Sequence, residues 1–227
     1  QVLMVGPTVS SNELSAVDDF FLRVMAPSTE EAERLAQLAS LQGVKQGFAI
    51  FDEANRSYSL RFTEAFRHQL EKLGGHMVQT ESFASGQDWR PADIARMVAA
   101  VKPDGVLLVA AAGDAAMLCQ QLRKHGYSGR IYSAGWGMTD EFLRTGGPSV
   151  EGAAFSHVFD ENCQAPTYLE FKAAFRLRFG REPDFAATSA YEAARVLFEA
   201  LTKVDAPSSR KLKDAVIDQG TFQGLQG

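Results

Sequence analysis

The chain has 227 residues, 45% of them hydrophobic and 22% charged, which matches ordinary globular proteins and excludes a disordered chain, a collagen-like fibre or a coiled coil. Lys plus Arg number 23 and Asp plus Glu number 28, and a net charge of −5 offers nothing to a phosphate backbone, so nucleic acid is excluded as a partner. No apolar run approaches the roughly 20 residues that span a bilayer, and no direct membrane span is expected within the sequence. The length fits one large domain or two modest ones. Gln1 opens directly on an apolar run, so the natural start is expected upstream of it.

Short β-rich runs alternate with amphipathic segments. Gln1 to Val5 and Phe20 to Met25 read as strands. Ser28 to Glu31 matches the capping box S-x-x-E, in which the two side chains each satisfy an exposed backbone N–H. Ala32, Leu35, Ala36 and Ala39 then repeat at helical spacing. Gly47 to Phe51 is a strand, and Phe62, Phe66, Leu70 and Leu73 mark the next helix, closed by Gly74-Gly75. His76 to Gln79 is a strand, Pro91 opens a helix with Ile94, Met97 and Val98 on its buried stripe, and Gly105 to Ala111 is apolar throughout, as a doubly covered parallel strand requires. Ala115, Leu118 and Leu122 continue helically to Gly126, and Arg130 to Ser133 is a short strand.

This succession of βα units, at the spacing of about 30 residues that a crossover needs, predicts an α/β fold with a parallel sheet flanked by helices. Three helices follow, at Tyr168 to Phe179, Thr188 to Leu201 and Ser208 to Ile217. Strands to match them are scarce: Ala153 to Val158, and a possible start near Phe222. Helices without a sheet imply that part of the fold lies outside this sequence.

Chemistry is sparse. His68, His76, His125 and His157 stand in no metal-binding spacing, so no metal is expected. Gly135-Trp136-Gly137 lacks the third glycine of a dinucleotide fingerprint, and no phosphate loop is present, so no cofactor is expected. Ser156, His157 and Asp160 are the right types for a triad, but adjacency in sequence is no evidence for one. Cys119 and Cys163 either form one bridge or are two free thiols. Asp52 ends a strand at the sheet edge where open α/β folds bind ligands, and it reads equally as a ligand group or a loop cap. Small hydroxyls at Thr8 and Ser10 suit a carboxylate, and Tyr58 or Trp136 suits a lid over an apolar body.

Several stretches, taken in order, resemble the type I periplasmic solute-binding proteins that serve branched-chain amino-acid ABC transporters. They are Gly6-Pro-Thr-Val-Ser-Ser-Asn-Glu-Leu-Ser15, Phe51-Asp-Glu-Ala-Asn-Arg-Ser-Tyr-Ser59, Asp88-Trp89 with Lys102-Pro-Asp-Gly-Val106, Gly147-Pro-Ser-Val-Glu-Gly152, Phe179-Gly-Arg-Glu-Pro-Asp184 and Tyr191-Glu-Ala-Ala194. Each motif is weak alone; in one order across nearly the whole chain they are specific.

The resemblance implies a two-lobed, hinged clamp of which most of the first lobe lies outside this sequence. Residues 1–26 are then a remnant of the N-terminal lobe and hinge, 27–158 the C-terminal lobe, and 159–227 helical segments returning to the first lobe. It implies that Thr8 and Ser10 hold the ligand's polar head, that Tyr58 is a lid, and that Ala111, Gly135 and Trp136 line the site. The family's acid that clamps an ammonium group falls on Gly135 or Trp136, and neither is acidic. That departure points to a carboxylate without an α-amino group, stacked on Trp136, unless Asp52 or a residue beyond this sequence supplies the charge.

The expected function is therefore extracytoplasmic (periplasmic) binding of a small carboxylate, an amino acid or an organic acid, by hinge closure, for delivery to an ABC transporter permease. No catalysis is expected. The alternative is a ligand-sensing domain of a membrane receptor or kinase. Replacing Ser10 by Ala is expected to weaken binding about 10-fold, through one lost hydrogen bond to a charged group; unchanged affinity in calorimetry would remove Ser10 from the site.

Overall fold

The computed structural model describes residues 2–227. In chain order the elements are β1 (Met4–Gly6), β2 (Phe21–Arg23), α1 (Ser28–Leu41), β3 (Gln46–Asp52), α2 (Arg56–Lys72), β4 (His76–Phe83), α3 (Pro91–Val101), β5 (Gly105–Val109) and α4 (Ala112–Lys124). They continue with β6 (Arg130–Ala134), α5 (Asp140–Gly146), β7 (Ala154–Ser156), α6 (Pro166–Phe179), α7 (Phe185–Thr202) and α8 (Ser209–Gln219). Short 3-10 turns fall at Glu53–Asn55 and Gly135–Gly137. The expected first strand starts two residues later than its described part would, and its Gln1 lies outside the described residues. No strand forms at Phe222.

The chain divides into two compact units. One holds the chain up to Ser10, Leu14–Ala26 and Phe159–Gly227; the other holds Ser11–Glu13 and Pro27–Val158.

The larger unit is built on a five-stranded, wholly parallel sheet in the order β4-β3-β5-β6-β7. Its central strands β3 and β5 are buried on both faces from Gly47 and Gly105 onward. Successive side chains alternate between faces, as the pleat demands. Ala49, Phe51, Leu107, Val109 and Tyr132 join Leu35 and Ala39 of α1 and Phe62, Phe66 and Leu70 of α2 in one cluster. Phe48, Ile50, Val106 and Leu108 join Ile94 and Val98 of α3 and Leu118 and Leu122 of α4 in the other. Cys119 is part of this second core, where burial pushes its thiol up to about 12, and both Cys119 and Cys163 are free thiols.

The connection after β3 leads to α2 on one face and the connection after β5 to α4 on the opposite face. Between β3 and β5 the strand order reverses, and the carboxyl ends at such a reversal are where open α/β sheets bind their ligands, in the crevice this topology makes. Each crossover helix runs antiparallel to the strand it precedes, which brings the first turn of α1 to this same edge.

The capping box at α1 does not form. The helix is capped at Pro27 with no side-chain bond, and Ser28 sits inside its first turn. The Ser28 hydroxyl donates to Asn12 Oδ1 at 3.4 Å, and Glu31 accepts from Gly135 N–H instead of reaching back along its own helix. Two other caps are made by side chains: Asp184 accepts from Ala187 N–H at the start of α7 and Ser208 from Lys211 N–H at the start of α8.

The smaller unit pairs β1 with β2 in parallel and carries α6, α7 and α8. Tyr168, Phe171 and Leu225 form its core with Phe159, Phe175 and Cys163 packed against them. Lys213 of α8 is buried and donates to Asp18, which holds that carboxyl below its usual range.

Candidate functional site

The carboxyl edge of the five-stranded sheet gathers four of the six expected site residues. Tyr58 stands in the first turn of α2, Ala111 precedes α4 directly after β5, and Gly135 and Trp136 form the 3-10 turn after β6. Tyr58 and Trp136 meet edge to face, with ring centroids 5.7 Å apart and planes at 83°. Both residues are half-buried. Thr8 and Ser10 belong to the smaller unit, on the segment leaving β1, where Thr8 is exposed and Ser10 half-buried.

Glu31 is the residue that sequence reasoning missed. Gly135 N–H donates to its Oε1 at 2.7 Å, across 104 positions of sequence. A side chain at position 135 has no room: an ideal Cβ there would stand 2.6 Å from Glu31 Oε1, 2.6 Å from the Ser156 carbonyl oxygen and 2.7 Å from His157 Cδ2. Glycine at this turn is thus the complement of Glu31.

Burial raises the Glu31 carboxyl to about 7, and the Gly135 N–H and the neighbouring Ser156 hydroxyl only partly oppose that rise. The Ser156 hydroxyl stands outside ordinary hydrogen-bonding geometry, and its buried oxygen has no partner, as is also true of Ser133 Oγ on the neighbouring strand. Tyr58 lies close enough to feel the Glu31 charge, and burial first and that charge second keep its phenol protonated far above the usual range.

The signal for Glu31 was present in the helical periodicity. Leu35 and Ala39 follow it at i+4 and i+8 and are fully buried, so Glu31 shares their inward stripe. An acid on that stripe, in the turn nearest the sheet's carboxyl edge, meets the turn after β6.

Asp52 is a cap and an anchor. Its Oδ1 accepts from Ala54 N–H at 2.9 Å and from Ser85 N–H at 3.0 Å, and Oδ2 accepts from the Ser85 hydroxyl. Only 2% of the residue is exposed, and these donors from the two loops bordering it use its acceptor sites, which leaves it little to offer a solute. The same Ser85 hydroxyl lies 3.0 Å from Asp114 Oδ2. Burial raises the Asp114 carboxyl, the Ser85 hydroxyl opposes this, and Asp52 and Glu141 add to the rise. Among the described residues no group of three or more His, Cys, Asp or Glu side chains is arranged to hold a metal ion.

The arrangement is a polar and aromatic cradle: a partly desolvated acid on a backbone N–H, two rings at right angles, and two small buried hydroxyls. It suits reversible capture of a small molecule. Over residues 1–227 the sequence matches the family model of periplasmic binding proteins. The chain belongs to that family.

Solved structures agree on the fold of this periplasmic binding protein. A leucine binding protein from Thermotoga maritima superposes with a TM-score of 0.90 at 22% identity, over 99% of this chain and 64% of that one. A branched-chain amino acid transporter substrate binding protein from Streptococcus pneumoniae, in complex with isoleucine, gives 0.87 at 18% identity, over 100% and 64%. A solute binding protein of an ABC transporter from R. palustris, in complex with benzoate, gives 0.84 at 15% identity, over 98% and 62%. The chain thus spans less than two thirds of the length of each. A search of curated protein sequences finds no significant match. Among the described residues no helix is long and apolar enough to cross a membrane.

Proposed function

We propose that this chain captures a small carboxylate-bearing solute, an amino acid or an organic acid, outside the cytoplasm and by hinge closure, for delivery to an ABC transporter permease. Binding changes no covalent bond. The observation that carries this reading is the Tyr58–Trp136 pair beside Glu31 and Gly135, at the crevice where the strand order reverses. Membership of the family supports it, as do structural relatives that hold isoleucine and benzoate. In this reading Thr8 and Ser10 take the carboxylate, and Tyr58, Ala111, Gly135 and Trp136 meet the rest of the solute, with Pro27–Val158 acting as the second lobe.

A thermal-shift panel of leucine, valine, aromatic amino acids and plain aromatic carboxylates tests it. A solute at 100 times its Kd adds about 2.7 kcal/mol, which raises the transition by roughly 5–10 °C for a protein of this size. Trp136→Ala should weaken the best solute about tenfold, the equivalent of about 1.4 kcal/mol of lost ring contact. A flat panel, or full affinity in the variant, counts against the assignment.

A further inference from the structure

We propose that Glu31 is the acid that meets the solute in this cluster, and that the site takes a solute presenting a protonated amine to that carboxylate. The inference rests on the reading of the cluster as a solute site and specifies its chemistry.

Four observations converge. Glu31 reaches the carboxyl edge of the sheet from the inward stripe of α1, at the turn after β6, and remains only half-buried. Its carboxylate fills the volume that any side chain at position 135 would need. Gly135 N–H fixes Oε1, while a carboxylate offers about four lone-pair sites on its two oxygens, so accepting capacity is left for a ligand. Among the described residues no lysine or arginine forms an ion pair with it. A carboxylate drawn this far out of water is costly unless a cation joins it, and the Tyr58 and Trp136 rings beside it favour a cation further through their π faces.

Proton linkage follows. Burial holds the free carboxyl at about 7, and an ammonium partner would return it to the ordinary range. Binding of an amine therefore releases a proton when the pH lies below about 7, and affinity falls as the pH falls. A plain carboxylate behaves oppositely, because it prefers the protonated acid and binds more tightly at low pH. The groups around Glu31 are Tyr58 from α2, Gly135 from the turn after β6, and Ser156 and His157 at the end of β7. His157 is the other ionisable side chain at this turn, so its contribution needs its own variant.

The test is calorimetry between pH 5.5 and 8.5 with pairs differing only in the amine: L-leucine against 4-methylpentanoate, and L-phenylalanine against 3-phenylpropanoate. The amine-bearing member should bind more tightly and lose about tenfold per pH unit below 7. Glu31→Gln should weaken it about 10- to 100-fold at pH 8 and flatten the profile, while His157→Gln should keep the profile. Equal or tighter binding of the amine-free member, a profile surviving Glu31→Gln, or one lost in His157→Gln overturns the proposal. If no member binds, the solute reading fails and the proposal with it.

Thermal unfolding of the ligand-free protein gives a readout independent of any ligand. A folded-state pKa raised from 4.5 to about 7 means stability present at low pH and lost as the pH rises through that window. Glu31→Gln should remove that loss; an unchanged pH slope contradicts the placement of the acid.

Discussion

Gly135→Ala is expected to lower stability by about 1–3 kcal/mol, the usual range for forced overpacking. The added methyl group would press on the Ser156 carbonyl oxygen at 2.6 Å, and that oxygen is backbone and cannot rotate away. It would press equally on Glu31 Oε1, which can move only by giving up its bond to the Gly135 N–H at 2.7 Å. The substitution therefore reaches the site as well as the fold. Thermal unfolding should shift down by roughly 3–10 °C, and affinity for the best solute should drop in the same variant. Gly43→Ala is the natural comparison, because no atom lies within 4 Å of an added Cβ there, although its φ of +88° carries a separate strain. Equal loss in the two variants, with solute affinity unchanged at Gly135, would remove the steric account of this turn.

Asp52→Ala is expected to cost more, about 2–4 kcal/mol, because several hydrogen bonds to one charged, buried group are lost together. Ala54 N–H and Ser85 N–H lose their acceptor, and the loop after β4 loses its tie to the end of β3. Asp52→Asn keeps one carbonyl oxygen for these donors and should lose less than half as much. The Ser85 hydroxyl has one proton for two carboxylates, so removing Asp52 releases it to Asp114. Removal also takes away a charge that raises the Asp114 carboxyl. Both effects point the same way, and carboxyl NMR titration should find Asp114 titrating lower in the variant. Titration at a higher pH would show that Asp52 is not what burdens it. Solute binding should persist in Asp52→Asn, since Asp52 is occupied by the fold.

Much of the larger unit was legible because its signals are local. β5 is an unbroken apolar run since the strand is covered on both faces. The stripes of α1 and α2 appear at helical spacing because one face of each helix meets the sheet. In the smaller unit α8 starts where Ser208 caps it, as its sequence reads, whereas α7 starts at Phe185 behind its Asp184 cap, three residues before the expected Thr188. What failed was decided by residues distant in sequence. Ser28 and Glu31 have the spacing of a capping box, but Asn12 takes the serine and Gly135 takes the glutamate. Spacing within four residues cannot register partners 16 and 104 positions away. The short helix α5 passed unnoticed because seven residues give too little periodicity to read.

The site was half legible for the same reason. Aromatic and glycine residues after strands β3 and β6 could be marked from topology alone. That Tyr58 and Trp136 touch, and that an acid from α1 stands against Gly135, depends on how crossover helices and strand ends meet at one edge. Gly135 read as the loss of an acid. In the fold it is the space that an acid from elsewhere occupies.

The most direct test of a solute site at this edge is a fluorescence titration, because the chain has two tryptophans in unlike places. Trp89 is stacked on Phe83 at 4.0 Å, and Trp136 lies against Tyr58 in the cradle. A solute that raises the thermal transition should give a saturable change in emission that survives Trp89→Phe and disappears in Trp136→Phe. A change that follows Trp89, or solute binding with Trp136 silent, would contradict the account.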